Sequence, residues 1–305
     1  MVKYNQVKKE IIMDAHGINF IEAKSILSRL RNKDDYFGIT YSMNLYRGCQ
    51  HGCIYCDTRS SCYRLGDISQ ISVKKNALQL LEAELQIKRG RATVGTGSMN
   101  DPYMPLEQQL ELTRGALSLL AKYHFPVHVM TKGDLVTRDV DLLQEIARIY
   151  AAVSFTITTA DDELARKLEP FAPLPSARFE AMRKLADQGI YTGVTLMPVL
   201  PFINDSIEDV IEIVEKAAEA GAAYILPLFG VTLRNGSRQY FYKQIEQLFP
   251  KMTKRYKTYF GERHECISPN AHYLNQFFSE RIEALGITSH MKFYNPEEKS
   301  QLSLF

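Results

Sequence analysis

From Ile39 to Leu228 the chain alternates short apolar, β-branched runs with longer amphipathic segments. The short runs read as strands at Thr40–Tyr46, Ala92–Gly97, Pro126–Thr131, Ala151–Thr158, Tyr191–Met197 and Ala223–Leu228. Between them, Val73–Lys88 places Leu78, Leu81 and Leu85 at spacings of three and four, as one buried helix face requires. Leu106–Tyr123 carries Leu110, Leu112, Leu117 and Leu120 in a second helical pattern. Asp139–Tyr150, Ala177–Gln188 and Ile207–Ala220 complete the series, the last opened by Ser206 as N-cap with Asp209 three residues on. Six strands alternating with five helices predict an α/β fold with a parallel sheet and right-handed crossovers. Six strands are too few for a closed eight-stranded barrel, so a partial, curved (β/α)6 barrel is expected.

The pattern divides the chain into an N-terminal extension (1–38), a barrel core (39–230), a mainly helical C-terminal extension (231–293) and a polar tail (294–305). No internal repeat and no low-complexity tract interrupts it. Residues 231–263 carry eight Lys or Arg against two Glu, interleaved with seven Tyr or Phe. Such a stretch can track a phosphate backbone and stack bases. It can equally form amphipathic helix that covers the open barrel edge, and its aromatic spacings of three and four favour the cover.

Overall charge does not decide between these, since 37 Lys and Arg face 35 Asp and Glu in 305 residues. A hydrophobic fraction of 45% against 24% charged excludes disorder for the bulk of the chain. No run approaches the roughly 18–20 apolar residues of a membrane span. The first residues have lysines but no apolar core ahead of a small-residue cleavage site, so a cytoplasmic protein is expected.

Candidate chemistry gathers in loops after strands, where parallel α/β folds place ligands. These are GSMNDPYMP (97–105), KGDLVTRD (132–139) and PVLPFIND (198–205). Ahead of them, Cys49, Cys53 and Cys56 are spaced C-x3-C-x2-C directly after the first strand, in a loop loosened by Gly48 and Gly52. Structural zinc wants four ligands, commonly from separated pairs, and Cys62 is the rival fourth. Three thiolates from one tight loop suit an iron–sulfur cube ligated at three corners, with one iron free for an external ligand.

With aromatic Tyr55 just before the third cysteine, this motif resembles the radical S-adenosylmethionine superfamily, and within it the spore photoproduct lyase-like branch labelled DNA repair photolyase. The resemblance runs from Tyr41 to about Tyr259, through YSMNLYRGCQHGCIYCDTRSSCY, GTGSMNDPYMPLE, TKGDLVTRD, SFTITT with EP, and MPVLPFIND. It implies a 4Fe–4S cluster on Cys49, Cys53 and Cys56, and S-adenosylmethionine chelated at the open iron. One electron, from a donor such as flavodoxin or ferredoxin, would cleave the cosubstrate to methionine and a 5′-deoxyadenosyl radical. Tyr55 would lie against the adenine or the cluster, and the loop from Gly95 through Gly97 and Ser98 to Asp101 would meet the methionine amino group. Lys132 would meet the carboxylate, Thr156 and Thr158 would reach ribose or carboxylate, and Met197 and Pro198 would offer backbone to the adenine.

The sequence departs from the lyase at one point. Where that enzyme keeps a hydrogen-donating cysteine, Ser98 stands here, and a serine O–H is a far poorer hydrogen-atom donor. Cys62 is the candidate substitute. With Tyr63 it reads either as a radical relay or as a small buried thiol beside a packing aromatic. Cys266 stands alone and reads as a core thiol, His51 as a hydrogen-bond donor in the cysteine loop, and His124 and His128 as structural. Asp101-Pro102 and Asn204-Asp205 suit either substrate binding or turns and caps. Glu169-Pro170 ends a helix, and Arg178 pairs with Glu169 or with a carboxylate of the cosubstrate.

The last residues, Gln301-Leu302-Ser303-Leu304-Phe305, resemble the short bacterial sliding-clamp-binding motif, which would tie the protein to replication or repair. The same residues could pack on the protein's own surface. The resulting expectation is a radical S-adenosylmethionine enzyme of lyase type that abstracts hydrogen from damaged or modified DNA. The alternatives are a DNA-associated iron–sulfur binding or redox-sensing protein without turnover, and a tailoring enzyme acting on tRNA or a peptide.

Overall fold

The computed structural model describes residues 18–32 and 34–296. The clamp-like tail and the first 17 residues lie outside that range. The described chain opens with short strands β1 (Asn19–Ile21) and β2 (Leu27–Arg29), followed by β3 (Tyr41–Met43), β4 (Tyr46–Arg47) and β5 (Ser72–Lys74). Helix α1 (Ala77–Gln86) leads to β6 (Val94–Thr96), then the pair α2 (Glu107–Leu110) and α3 (Leu112–Lys122) to β7 (Val127–Thr131). Next come α4 (Val140–Ala147), β8 (Ala151–Thr156), α5 (Asp162–Leu168), α6 (Pro175–Asp187), β9 (Tyr191–Leu196), α7 (Ile207–Glu219) and β10 (Tyr224–Pro227).

The main sheet runs β10-β9-β8-β7-β6-β3-β2. Its six strands from β3 to β10 are parallel, and they are the six that the apolar runs predict. The sheet stays open, with β10 at one edge and β2 added antiparallel at the other, where Leu27 faces Met43. Strands β8 and β9 are almost wholly buried, as a parallel sheet covered by helices must be. Val127, Val129, Val153, Phe155, Val194 and Leu196 are essentially inaccessible, and each such side chain contributes about 1.5–3 kcal/mol by leaving water.

Three expected elements change. The first strand stops at Met43, and Tyr46 pairs instead with Val73 in a separate small sheet. Val73 is therefore strand rather than the start of a helix, which begins only at Ala77. The long Leu106–Tyr123 pattern breaks at Glu111, which has φ 52°. The cause is Glu107, whose buried carboxylate accepts the backbone N–H groups of Thr113 and Arg114 and so caps a second helix. Ser206 caps α7 as expected, accepting from the Asp209 N–H at 3.1 Å.

Beyond the sheet, β11 (Gly230–Thr232) pairs antiparallel with β12 (Glu265–Ile267), with α8 (Ser237–Leu248) and α9 (Met252–Phe260) between them. Helix α10 (Ala271–Ala284) returns onto α7, where Arg281 bonds Glu215 at 2.6 Å. Phe241, Ile245, Tyr256 and Phe260 are buried in one cluster with Ile54, Tyr55, Leu168 and Leu200. The aromatic residues of the basic stretch therefore largely pack inward and cover the barrel and its cysteine loop. Among the described residues no helix is long and apolar enough to cross a membrane.

Candidate active site at the mouth of the sheet

The cysteine loop is clamped by its backbone. Cys49 N–H donates to Ile68 at 2.9 Å, Ile54 N–H to Leu168 at 2.9 Å, and the His51 carbonyl accepts from Phe171 N–H at 3.2 Å. Cys53 is buried, while Cys49 and Cys56 are half-buried. All three line a cavity of about 380 Å3 at the C-terminal ends of the sheet strands. Among the described residues, no three His, Cys, Asp or Glu groups converge as they would around a single metal ion. Cys62 does not join them. It sits exposed in a short helical turn, Ser61–Tyr63, and does not line the cavity into which the three thiols open.

Burial pushes the Cys49 thiol up to about 11 and the Cys53 thiol further, with Lys132 partly opposing the rise at Cys53. Thiolates in this setting need cationic compensation, which iron and Lys132 can supply. The buried His51 Nδ1 has no partner beside the same loop. Three thiols from one loop, opening on a common cavity beside a lysine, fit an iron–sulfur cluster held at three corners. Cys49, Cys53 and Cys56 would hold it.

Asp101 organises the floor. Its Oδ1 accepts from Tyr103 N–H at 2.8 Å and Thr131 Oγ1 at 2.6 Å, and its Oδ2 accepts from Lys132 N–H at 2.6 Å. His51 Nε2 lies 3.1 Å from the same Oδ2, close but poorly directed for a hydrogen bond. Burial opposes ionisation, yet His51 and these donors outweigh it and hold the Asp101 carboxyl well below the usual carboxylate range. Its oxygens are thus occupied, and Asp101 positions Lys132 and the cysteine loop rather than offering a free carboxylate to a ligand.

A second buried network lies behind the wall. Glu169 accepts from Tyr55 Oη and from Arg178 Nη2, and Lys132 Nζ stands 4.0 Å away. Arg178 also donates to the carbonyls of Pro173 at 2.7 Å and Thr156 at 2.9 Å. Burial raises the Glu169 carboxyl, but Arg178, Lys132 and Tyr55 together hold it below its ordinary value. Burial likewise works against the Lys132 charge, and the Cys53 and Glu169 charges overcome it. Of the two partners anticipated for Arg178, the structure places Glu169.

The cavity brings together most of the anticipated positions. Gly97, Ser98, Lys132, Thr156, Met197 and Pro198 line it alongside Tyr55 and Asp101. A Cβ at Gly97 would fall 2.0 Å from the Met130 carbonyl oxygen, and its φ of +102° excludes ordinary side chains. Gly95 does not reach the cavity, because it lies within β6 and abuts Ile39. Thr158 is turned away, since the strand ends at Thr156 and the Thr158 hydroxyl donates to Glu169 at 3.2 Å. Tyr63 is 37% exposed and does not line the cavity, though it donates at 3.0 Å to Asp57, which does.

Asn204 and Asp205 serve as turn and cap residues. Asn204 accepts from Leu200 N–H at 2.7 Å, and Asp205 ties the loop to Ser268 of the C-terminal extension at 2.5 Å. The sequence reading missed Thr195, which lines the cavity and donates to Thr156 Oγ1 at 2.9 Å. Its place two residues before Met197 on a strand was the available signal. It also missed the brace under the loops, where Arg138 bonds Glu107 and Asp139 at 2.8 Å and Tyr103 bonds Asp139 at 3.1 Å.

The family model of the radical SAM superfamily matches residues 43–217. An uncharacterized protein of Mycobacterium tuberculosis is 32% identical over 252 residues, spanning 79% of this chain and 73% of that protein. A radical SAM Nalpha-GlyT isomerase of Pseudomonas phage M6 is 25% identical over 181 residues, 59% of this chain and 37% of that protein. Among solved structures, spore photoproduct lyase complexed with dinucleoside spore photoproduct shares the fold at a TM-score of 0.66 and 16% identity, covering 89% of this chain and 81% of that one. With the three-thiol loop at the mouth of a six-stranded parallel sheet, these matches establish that the chain belongs to the radical S-adenosylmethionine superfamily, enzymes that work with a 4Fe–4S cluster and S-adenosylmethionine.

Proposed function

We propose that this radical S-adenosylmethionine enzyme abstracts hydrogen from damaged or modified DNA presented at the cavity mouth. When bound, the cluster and S-adenosylmethionine supply a hydrogen-abstracting carbon radical, and the protein holds, orients and shields. Cys49, Cys53 and Cys56 anchor the iron. Lys132, fixed through its backbone by Asp101, offers its ammonium to the carboxylate of the cosubstrate. Thr156 and Thr195 supply hydroxyls on the adjoining wall. Met130, Met197, Leu228 and Val231 line the remainder and keep water away from the reacting atoms.

The observation that carries the DNA reading is a group of exposed cations on α9, the helix that packs on Phe202 of the 198–205 loop. Lys254, Arg255 and Lys257 are exposed on α9 and make no salt bridge among the described residues. Arg255 lies 3.9 Å over the ring of Phe202, four residues beyond cavity-lining Pro198. Unpaired cations on a helix packed against the loop that begins at cavity-lining Pro198 suit a phosphate backbone whose target is turned into the cavity.

The test is anaerobic. Protein reconstituted with iron and sulfide is reduced with dithionite in the presence of S-adenosylmethionine, and 5′-deoxyadenosine is quantified with and without lesion-bearing oligonucleotides. Product that is lost in Cys53→Ala and rises with one class of lesion supports the reading. Equal turnover with every oligonucleotide and with none sinks the DNA assignment.

A further inference from the structure

The cysteine loop has two faces. The inner face opens into the cavity, and the outer face lines a second groove of about 720 Å3 with Cys49, Gln50 and Gly52 along its floor. Of the three cysteines, Cys49 alone lines both. A protein cannot enter a cavity of about 380 Å3 that already receives cosubstrate and substrate, so an electron carried by another protein has to arrive from outside. The outer groove is where the thiol loop meets the surface.

That groove has the make-up of a docking site. Phe171 stands on its rim, 68% exposed, over Gly52, where an added Cβ would fall 2.8 Å from the ring. Exposed aromatics of this kind serve as interface anchors. Around it, Arg59, Arg166 and Lys167 face a single acid, Glu163, which pairs with Arg166. Arg59 lies 3.8 Å from the centre of the Tyr240 ring. Neither Arg59 nor Lys167 makes a salt bridge among the described residues. An aromatic anchor inside a rim of net positive charge complements an acidic surface.

We propose that this groove docks an acidic one-electron carrier protein, with Phe171 as anchor and Arg59, Arg166 and Lys167 as rim, and that the electron enters on the Cys49 side. The inference rests on the cluster chemistry of the family and is independent of the substrate. One electron leaving the reduced flavin or iron–sulfur centre of the carrier would reduce the cluster that Cys49, Cys53 and Cys56 would hold. The carrier is oxidised by one electron, and no atom or proton needs to cross.

The experiment compares the wild type with Lys167→Glu, Phe171→Ala and the double variant, each as reconstituted full-length protein. Five quantities are read without oxygen at low ionic strength. They are affinity for an acidic flavodoxin and an acidic ferredoxin by calorimetry, affinity for duplex DNA by fluorescence anisotropy, carrier reoxidation by stopped flow, dithionite-driven cluster reduction by absorbance, and 5′-deoxyadenosine by chromatography. The double variant is expected to lose roughly tenfold or more in carrier affinity and in electron delivery, with dithionite reduction unchanged. Unchanged carrier affinity and rate in all three variants overturns the proposal, as does failure of the wild type to bind either carrier. So does a drop in duplex DNA affinity with carrier affinity intact, which assigns the groove to nucleic acid. If 5′-deoxyadenosine never forms while the carrier still reduces the cluster, the enzymatic reading fails and the docking site stands.

Discussion

The phenol of Tyr55 donates a hydrogen bond to the carboxylate of Glu169, joining the residue before the third cysteine to one 114 positions away. The bond holds the floor of the cysteine loop against a buried carboxylate whose charge is balanced by Arg178, itself inaccessible to solvent. Removing one partner strands the other. Arg178→Met is expected to destabilise the protein by about 3–5 kcal/mol, the usual cost of breaking a buried pair. Tyr55→Phe, which removes one donor from a charged acceptor, should cost about 1.5–3 kcal/mol. Urea denaturation measures both, and an Arg178→Met loss below that of Tyr55→Phe would contradict this ordering.

A glycine sets the opposite wall. At Gly97 a side chain meets the Met130 carbonyl, and the backbone conformation is one that only glycine adopts freely. Gly97→Ala is expected to push the loop that carries Ser98 and Asp101 out of place. The loss should reach at least about 2 kcal/mol in denaturation. S-adenosylmethionine binding, followed by equilibrium dialysis, should weaken at least about tenfold, since ligand groups misplaced by an ångström cost that much or more. Wild-type affinity in this variant would show that the loop does not contact the cosubstrate.

The parallel strands β7 to β10 were readable because each is an apolar run buried on both faces, and β3, with Tyr41 and Ser42 half-buried, was found only as part of a longer apolar stretch. The small strands were not. Tyr46–Arg47 and Ser72–Lys74 are too short to show a period, and only their partner across the loop makes them strand. The break at Glu111 was hidden for a related reason, because its cause is a buried side chain four residues earlier. At the site, the three thiols and Lys132 announce themselves by residue type and by place after a strand. Thr158 misled, since period-two alternation from Thr156 holds only while the strand continues, and it ends there. The saturation of Asp101 depends on three donors from two separate segments, with His51 of a third close by, which no local pattern records.

The cysteines separate into two groups. Cys49→Ser, Cys53→Ser and Cys56→Ser should each lose most of the iron and the visible absorption of the reconstituted protein. Cys62→Ser and Cys266→Ser should keep both, because neither lines the cavity: Cys62 is exposed, and Cys266 is buried in the apolar cluster with Tyr256 and Phe260 that backs the cysteine loop. Iron and sulfide assays with anaerobic spectra read the difference. Substantial loss of iron in Cys62→Ser would return it to the ligand set.

His128 gives the fold a pH dependence of known sign. Its Nε2 lies 2.7 Å from Ser154 Oγ, which lies 2.7 Å from Tyr224 Oη, inside the sheet and away from the thiols. Burial lowers the imidazole from 6.5 to about 4, and the nearby Asp34 only partly opposes this. Since the folded value is depressed, the unfolded chain binds more protons between pH 6.5 and about 4, and stability falls as pH drops through that window. The gap is worth roughly 3 kcal/mol at its full extent. Denaturation midpoints at pH 7.5, 6, 5 and 4 for wild type and His128→Gln isolate it. A slope as steep in the variant as in the wild type would mean that other groups carry the acid sensitivity.

The DNA reading can be tested apart from catalysis, through salt. Each cation that neutralises a phosphate releases a counterion, so the logarithm of affinity falls with the logarithm of salt by about 0.9 per contact on duplex DNA. Lys254, Arg255 and Lys257 are exposed together on the helix Met252–Phe260, while Tyr256 and Phe260 face the core. Replacing all three by alanine removes surface charge and the Arg255 contact over Phe202 while leaving the buried Tyr256 and Phe260 in place. If a duplex lies across this strip, the variant should bind more weakly and its salt slope should be smaller by about 2–3. Fluorescence anisotropy with a lesion-free duplex between 50 and 200 mM salt measures the slope directly. An unchanged slope in a variant with wild-type thermal stability would move any DNA contact off this helix and leave the substrate to be sought among smaller molecules that fit the cavity alone.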